Sequence, residues 1–377
     1  MFCARSRTEK WWTTKNSIMK KRTFLLLLTL SVCALGADMR PVFKIGVIAP
    51  LTGNMSMLGE EAKNGIALAQ EELHTGFDVK MIYEDDQFEG RQTNAAALKL
   101  LQLDRVDAII SIWDSAAMVV GPRVEKAGVL QFNAGWDPQI MGGKKWTMVH
   151  GGNYREFVRR SIEVMQIYHT KRLAIVGPVS VGDINCMKVA RPLLKQAGIE
   201  VVFNEFYPHG TRDFRTYLLK VREAKPDFVW NLNTPPEDEI FWRSETELGL
   251  RWPTTGDFWV TTPDLYHYID GALFPEIHVD PQFTARYKAR FGYTPKMLES
   301  AICHDIYKMI VETAQAHYEK TGRLPTHEEL LVELKISRLL PTLAINYSAM
   351  KGTGYVESKY VLKQVKDGKV VDYAPEK

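Results

Sequence analysis

The sequence predicts an α/β fold of two doubly wound parallel-sheet lobes, and three observations carry that expectation. Strand-like and helix-like segments alternate from Phe43 onwards, the alternation restarts after Gly151-Gly152, and a stretch of helices without strands follows. Repeated βα units build parallel sheets with right-handed crossovers. A chain of 377 residues with 45% hydrophobic content also exceeds what one core usually holds.

Residues 43–49 are a run of β-formers closing in Ala49-Pro50, as in a strand covered on both faces by crossover helices. Ser56 is the expected N-cap of a helix whose apolar stripe is Leu58, Ala62, Ile66, Ala69 and Leu73. Ligands in open α/β sheets sit beyond the carboxyl ends of strands, so loop 50–57 lies where function is expected. Strands are predicted at 79–83, 106–111 and 129–132, with helices at 91–103 and 115–126. After a short apolar piece at 146–149, helices at 154–168, 183–196, 214–222 and 237–248 alternate with strands at 173–176, 201–206, 228–231 and 258–260.

Helices at 282–290, 297–318 and 328–336 cannot bury themselves alone. The chain is therefore expected to return to the first sheet and cross again, ending in a hairpin of 355–364 and 370–373 around Asp367-Gly368. Lobe 1 would then be 42–150 and 276–342, and lobe 2 would be 151–275 and 343–377. Lobes sharing several linkers suit hinge closure on a ligand.

Residues 1–37 read as a leader and signal peptide. Lys20, Lys21 and Arg22 precede an apolar run too short to span a bilayer, and small residues follow. Met19 would itself be a normal start. Export to the periplasm is expected, with a lipid anchor at Cys33 as the alternative to ordinary cleavage. The leader holds seven of the 48 Lys/Arg and one of the 45 acids, leaving 41 basic and 44 acidic residues and a net charge of −3 instead of +3. No basic surplus points to nucleic acid or an anionic membrane. Cys186 and Cys303 are compatible with one disulfide, but their surroundings place them on helices of different lobes, and buried thiols are expected.

No enzyme signature is present: there is no G-x-S-x-G, and His327-Glu328-Glu329 lacks the second His of a zinc motif. The 177–182 stretch has phosphate-loop glycine spacing, but Asp183 would repel a phosphate, so it reads as a βα loop at the mouth of lobe 2. Cys303-His304-Asp305 should diverge on a helix, whose residues are about 100° apart. Glu84-Asp85-Asp86 reads as a set of caps and hinge hydrogen-bonders rather than a metal site. No metal, cofactor or catalytic residue is expected. Asn54-Met55-Ser56 and Asn346-Tyr347-Ser348 match the glycosylation sequon, a weak signal.

Four clusters fall at strand ends: 112–115 with Trp113, Asp114 and Ser115; 133–138 with Ala134, Gly135 and Trp136; 231–235 with Thr234; and 255–257 with Asp257. Helix N-termini offer N–H groups to a carboxylate and Trp faces supply apolar walls, so these clusters together predict a ligand cleft. Met55, Met57 and Leu58 would be apolar contacts at its rim.

The opening 44–53, then Gly59 and Asn64-Gly65, resembles the periplasmic substrate-binding proteins of branched-chain amino acid ABC transporters, the leucine/isoleucine/valine-binding family. Tyr83-Glu84-Asp85-Asp86, Asp213-Phe214 and 225–229 support the likeness. The resemblance implies a type I periplasmic binding protein fold with a three-segment hinge, closing on an amino acid or small carboxylate and delivering it to an ABC permease, with no cofactor and as a monomer. In relatives binding aliphatic amino acids, a Ser-rich turn corresponds to Trp113-Asp114-Ser115-Ala116, and a Gly/Ala-Thr turn corresponds to Ala134-Gly135-Trp136. A relative's disulfide would join positions 87 and 113. The resemblance therefore implies a carboxylate held at Ser115 and the N–H groups around Ala134, walls from Trp113 and Trp136, and an amine paired with Asp257. The alternative from another class is a ligand sensor of the same fold acting on a signalling partner.

Overall fold

The computed structural model describes residues 40–233, 236–256, 263–336 and 355–374. The leader, Cys33, Asn346, Thr234, Asp257 and the 258–260 strand expectation lie outside them. β1 (Val42–Ala49) is buried along most of its length, as expected for a strand covered on both faces. It lies between β2 at one edge and β3 in a parallel sheet ordered β11 (Tyr355–Glu357), β5 (Thr147–Gly151), β4 (Leu130–Gly135), β3 (Ala108–Ile112), β1 and β2 (Asp78–Asp85). The helices linking these strands are α1 (Ser56–Glu72), α2 (Gly90–Lys99) and α3 (Trp113–Ala127). Ser56 is the first residue of α1 rather than its cap: Met55 holds that position, with no side-chain bond.

After Gly151 the alternation restarts with α4 (Tyr154–Ile167), β6 (Arg172–Pro178), α5 (Val181–Gln196), β7 (Glu200–Tyr207), α6 (Arg215–Ala224), β8 (Phe228–Asn231), α7 (Glu237–Glu247) and β9 (Thr254–Gly256). These strands form a second parallel sheet ordered β7, β6, β8, β9. A third, antiparallel sheet joins β10 (Leu273–Ile277) to β12 (Tyr360–Lys366) and β13 (Lys369–Asp372). The terminal hairpin therefore begins at Tyr360. Tyr355–Glu357, assigned from sequence to that hairpin and to lobe 2, instead pairs in parallel with β5 in the six-stranded sheet.

α8 (Pro281–Phe291), α9 (Glu299–Thr321) and α10 (His327–Ile336) return to the first sheet. α9 is buried on almost every face because it lies between that sheet and α1. The chain thus passes between the two halves after Gly151, after Ile277 and after Glu357. Gly151 and Gly152 are required at the first passage. Gly151 has φ +144° and a Cβ there would lie 2.3 Å from the Gly135 carbonyl oxygen, while a Cβ on Gly152 would lie 2.1 Å from the Trp136 ring.

The suspected reactive groups Cys303, His304 and Asp305 are all buried. Cys186 and Cys303 are buried thiols outside any disulfide, and burial pushes the Cys303 thiol well above its usual range. His304 and Asp305 do meet, against the divergence expected on a helix, with Nδ1 and Oδ1 2.9 Å apart. They belong to a buried charge network with His150, Glu72 and Lys308. Asp85 accepts from the backbone of Leu51, Thr52 and Gln87, and Asp86 accepts from Phe88 N and Thr93 Oγ1. These acids stiffen two adjoining loops. Among the described residues no group of His, Cys, Asp and Glu is arranged to hold a metal.

Candidate functional site

The first half's contribution begins where β3 runs straight into α3 with no intervening turn. Trp113, the first residue of α3, has φ +69°, a conformation costly for a bulky side chain. Two contacts hold it there. Its Nε1 donates to Glu299 Oε1 at 2.8 Å, and the Phe88 ring meets it edge-on at 5.1 Å. Phe88 itself has φ +62° in the loop fastened by Asp86.

Asp114 follows and is 5% exposed. Its Oδ1 accepts from Trp136 N at 2.8 Å and Asp137 N at 3.4 Å, and its Oδ2 accepts from Tyr154 Oη at 2.8 Å. Burial raises its carboxyl to about 6, a rise those hydrogen bonds restrain. Trp136, just past β4, stacks on Tyr154 at 6.3 Å and meets Phe157 and Tyr360 edge-on.

The second half supplies Tyr154 and Phe157 from the first turn of α4, and the loop between β6 and α5. Ser180 caps α5 by accepting from Asp183 N at 2.9 Å, and its hydroxyl donates to the Asp183 carboxylate. Asp183 is likewise raised to about 6 by burial, which its bond from Ser180 and the nearby His209 only partly offset. His209 Nδ1 is 3.8 Å from Glu237.

Between the halves lies a cavity of about 340 Å³, walled by Phe88, Trp113, Trp136, Tyr154 and Phe157, with Leu232 and Val179 completing its apolar surface. Besides the packing of Trp136 on Tyr154 and Phe157, contacts that bridge it include Tyr154 to Asp114, Asn185 Nδ2 to Asp137 Oδ2 at 2.8 Å, and the Phe88 ring to His209 at 6.1 Å. The arrangement is concave, mostly apolar and fitted with a few fixed polar groups, which is the form of a small-molecule site.

Of the residues singled out from sequence, Trp113, Asp114, Ser115 and Trp136 line this cavity. Ala134 and Gly135 do not: both are buried within β4, and a Cβ on Gly135 would collide with Asp114 and Asn133. Leu58, on the buried face of α1, is 1% exposed, and neither it, Met55 nor Met57 lines the cavity. The N–H groups of Trp136 and Asp137, just beyond Ala134 where a ligand carboxylate was expected, already donate to Asp114. The position paired with 113 in the implied disulfide precedes Phe88, whose ring packs on Trp113.

Sequence reasoning missed Phe88, Tyr154, Phe157, Asp183 and His209. Tyr154 and Phe157 open a helix directly after the Gly151-Gly152 crossing, and that crossing is the signal that could have placed them beside the cleft.

Residues 42–369 match the family described as "Periplasmic binding protein". A Leu/Ile/Val-binding protein homolog 7 of Brucella suis is 25% identical over 323 residues, covering 76% of this chain and 81% of the relative. A leucine-binding protein of Thermotoga maritima superposes with a TM-score of 0.74 at 22% identity, covering 88% of this chain and 98% of its own. A solute-binding protein of an ABC transporter from Rhodopseudomonas palustris BisB5, solved with 3,4-dihydroxybenzoic acid, gives 0.77 at 20% identity, with 88% and 96% covered. With two parallel sheets, three crossings and a cavity between them, the chain belongs to the periplasmic binding protein family and has its type I fold.

Proposed function

We propose that this protein captures an amino acid or similarly small organic solute with an aromatic or bulky apolar body, and hands it to an ABC permease from the periplasmic side. It performs no chemistry on the solute. The observation that carries the reading is the cavity walled by rings from both halves, Phe88, Trp113 and Trp136 on one side and Tyr154 and Phe157 on the other. A solute touching both walls favours the closed state over the open one, and that difference drives closure. The relatives named above, an amino-acid binder and a dihydroxybenzoate binder, support a small solute of this size.

Native mass spectrometry of protein purified from its own periplasm tests the reading. A bound small molecule is expected in the parent protein and is lost in Trp113→Ala, with circular dichroism showing that the variant is folded. Retention of the same mass by folded Trp113→Ala overturns it.

A further inference from the structure

The strand order of the two parallel sheets separates a hinge side from a mouth side. In the six-stranded sheet, β5 and β11 carry the first and third passages between the halves, and β2 is the opposite edge. In the second sheet, β9 is the edge that contacts β10, the strand of the second passage, and β7 is the opposite edge. Rotation about a hinge displaces a group in proportion to its distance from the axis. Groups beyond the carboxyl ends of β2 and β7 therefore part the most when the halves open.

Phe88 follows β2 and His209 follows β7, and their rings meet edge-on, 6.1 Å apart at 85°. That is a favoured geometry for an aromatic pair. Both rings sit on fastened loops. Gln87 N donates to Asp85 Oδ1 and Phe88 N to Asp86 Oδ1, each at 3.0 Å, and these bonds hold two consecutive residues at φ +52° and +62°. Side chains rarely adopt that conformation, and strain of this kind collects where a ligand is clamped. Across the cleft, Glu237 accepts from Gly210 N at 2.8 Å and stands 3.8 Å from His209 Nδ1, which fixes the turn that carries the imidazole.

Phe88 also meets the Trp113 ring edge-on at 5.1 Å, and Phe88, Trp113 and His209 all line the cavity. A solute against Trp113 thus supports the ring that reaches across the mouth. Trp136 has the opposite place: its contact with Tyr360, just after the third passage, keeps it on the hinge side.

We infer that Phe88 and His209 form a latch at the mouth of the cavity, made when the halves close and broken when they open, and that Phe88 is a positioning residue that holds the closed state. The purpose of the latch, slowing the escape of a solute, rests on the cavity being the solute site.

Electron–electron distance measurements between spin labels at Arg91→Cys and Arg212→Cys test this, on protein as purified and after exhaustive dialysis. Both positions are exposed, and the native Cys186 and Cys303 are buried. The closed form gives the shorter distance. Phe88→Ala is expected to shift the closed-to-open ratio about fivefold towards open, a factor in keeping with one aromatic pair. His209→Ala is expected to act in the same direction, and the double variant no further than Phe88→Ala. Phe88→Tyr keeps the ring and should keep the parent's ratio. An unchanged ratio in folded Phe88→Ala, shifts that multiply in the double variant, or a parent without a closed form in either preparation overturns the latch. Native mass spectrometry of the same samples judges the solute site separately. A bound small molecule in a parent whose ratio ignores Phe88 overturns the latch and leaves the cavity as the solute site, whereas the fivefold shift in a parent carrying no small molecule supports the latch and counts against that site.

Discussion

The Tyr154 hydroxyl donates to Asp114 Oδ2 at 2.8 Å, linking the first turn of a helix in one half of the molecule to the first turn of a helix in the other. Because Asp114 also holds the backbone of Trp136, this one carboxylate ties the wall of the cavity to the closure across it. Hydrogen bonds to a charged group contribute about 1.5–3 kcal/mol. Tyr154→Phe keeps the ring that stacks on Trp136 and removes only the donor. Solute affinity should fall by roughly 10- to 100-fold, the factor that such an energy corresponds to. Calorimetry with the co-purified solute measures it, and an unchanged affinity would show that the bond plays no part in closure.

Glu299 acts on the site through Trp113. Its Oε1 accepts from the indole Nε1, and Glu299 is 1% exposed, so the pair fixes the ring against a wall of the cavity. Glu299→Ala frees the indole and is expected to weaken solute binding about tenfold, in line with a bond of about 1.5 kcal/mol. Glu299→Gln retains a carbonyl acceptor and should restore most of the affinity. A purely packing role predicts the reverse, with both variants binding like the parent.

Gly152 predicts a coupling between hinge and site. A Cβ there would stand 2.1 Å from Trp136 Cε3, so the indole must shift. Gly152→Ala should weaken solute binding, with a stability loss of about 1–3 kcal/mol for overpacking. Parallel chemical denaturation and calorimetry separate the two effects, and parent-like binding would remove the Trp136 position from the specificity of the site.

Stability should fall as pH rises from about 5 to about 8.5. Burial raises Glu61 and Asp238 to about 7, Glu276 to about 8 and Asp114 to about 6. Each folded-state value exceeds the unfolded one, so the stability these acids contribute is full below the unfolded pKa and is lost as pH rises through the folded one. His304, lowered by burial but raised overall by the bonds it donates to Asp305 and Glu72, loses its contribution in the same direction. Glu72, held down at about 2 by His304 and Lys308 despite the opposing effect of burial, and the lowered Asp305 keep theirs throughout this window. Thermal melts across the range check the sign, and a melting temperature that rises with pH contradicts it.

The alternation of strand and helix was legible because buried parallel strands and amphipathic helices leave strong periodic patterns. Where boundaries slipped, tertiary contacts prevailed. α3 starts at Trp113 because Glu299 and Phe88 hold a left-handed Trp, and no local preference predicts that. β10 was missed since Pro275 and the buried Glu276 argue against a strand, yet it pairs with β12 from the far end of the chain. Tyr355–Glu357 looked like half of a hairpin because only distant β5 supplies its partner.

The site was more legible on the first side than on the second, where the 177–182 loop was placed at the mouth of lobe 2 and Thr234 and Asp257 lie outside the described residues. Trp113, Ser115 and Trp136 stand at strand ends, where topology locates ligands. Tyr154, Phe157, Asp183 and His209 come from the other half and reach the cavity only through the crossing at Gly151-Gly152. Asp114 was visible as a residue, but its satisfaction of the Trp136 and Asp137 N–H groups was not.

A crystal structure of the protein with its co-purified solute tests the central claim most directly. The solute is expected between the rings of Trp113 and Trp136 on one side and Tyr154 and Phe157 on the other, with its polar head at Asp114. Density for the solute outside that cavity, or in contact with only one half of the molecule, would contradict the account.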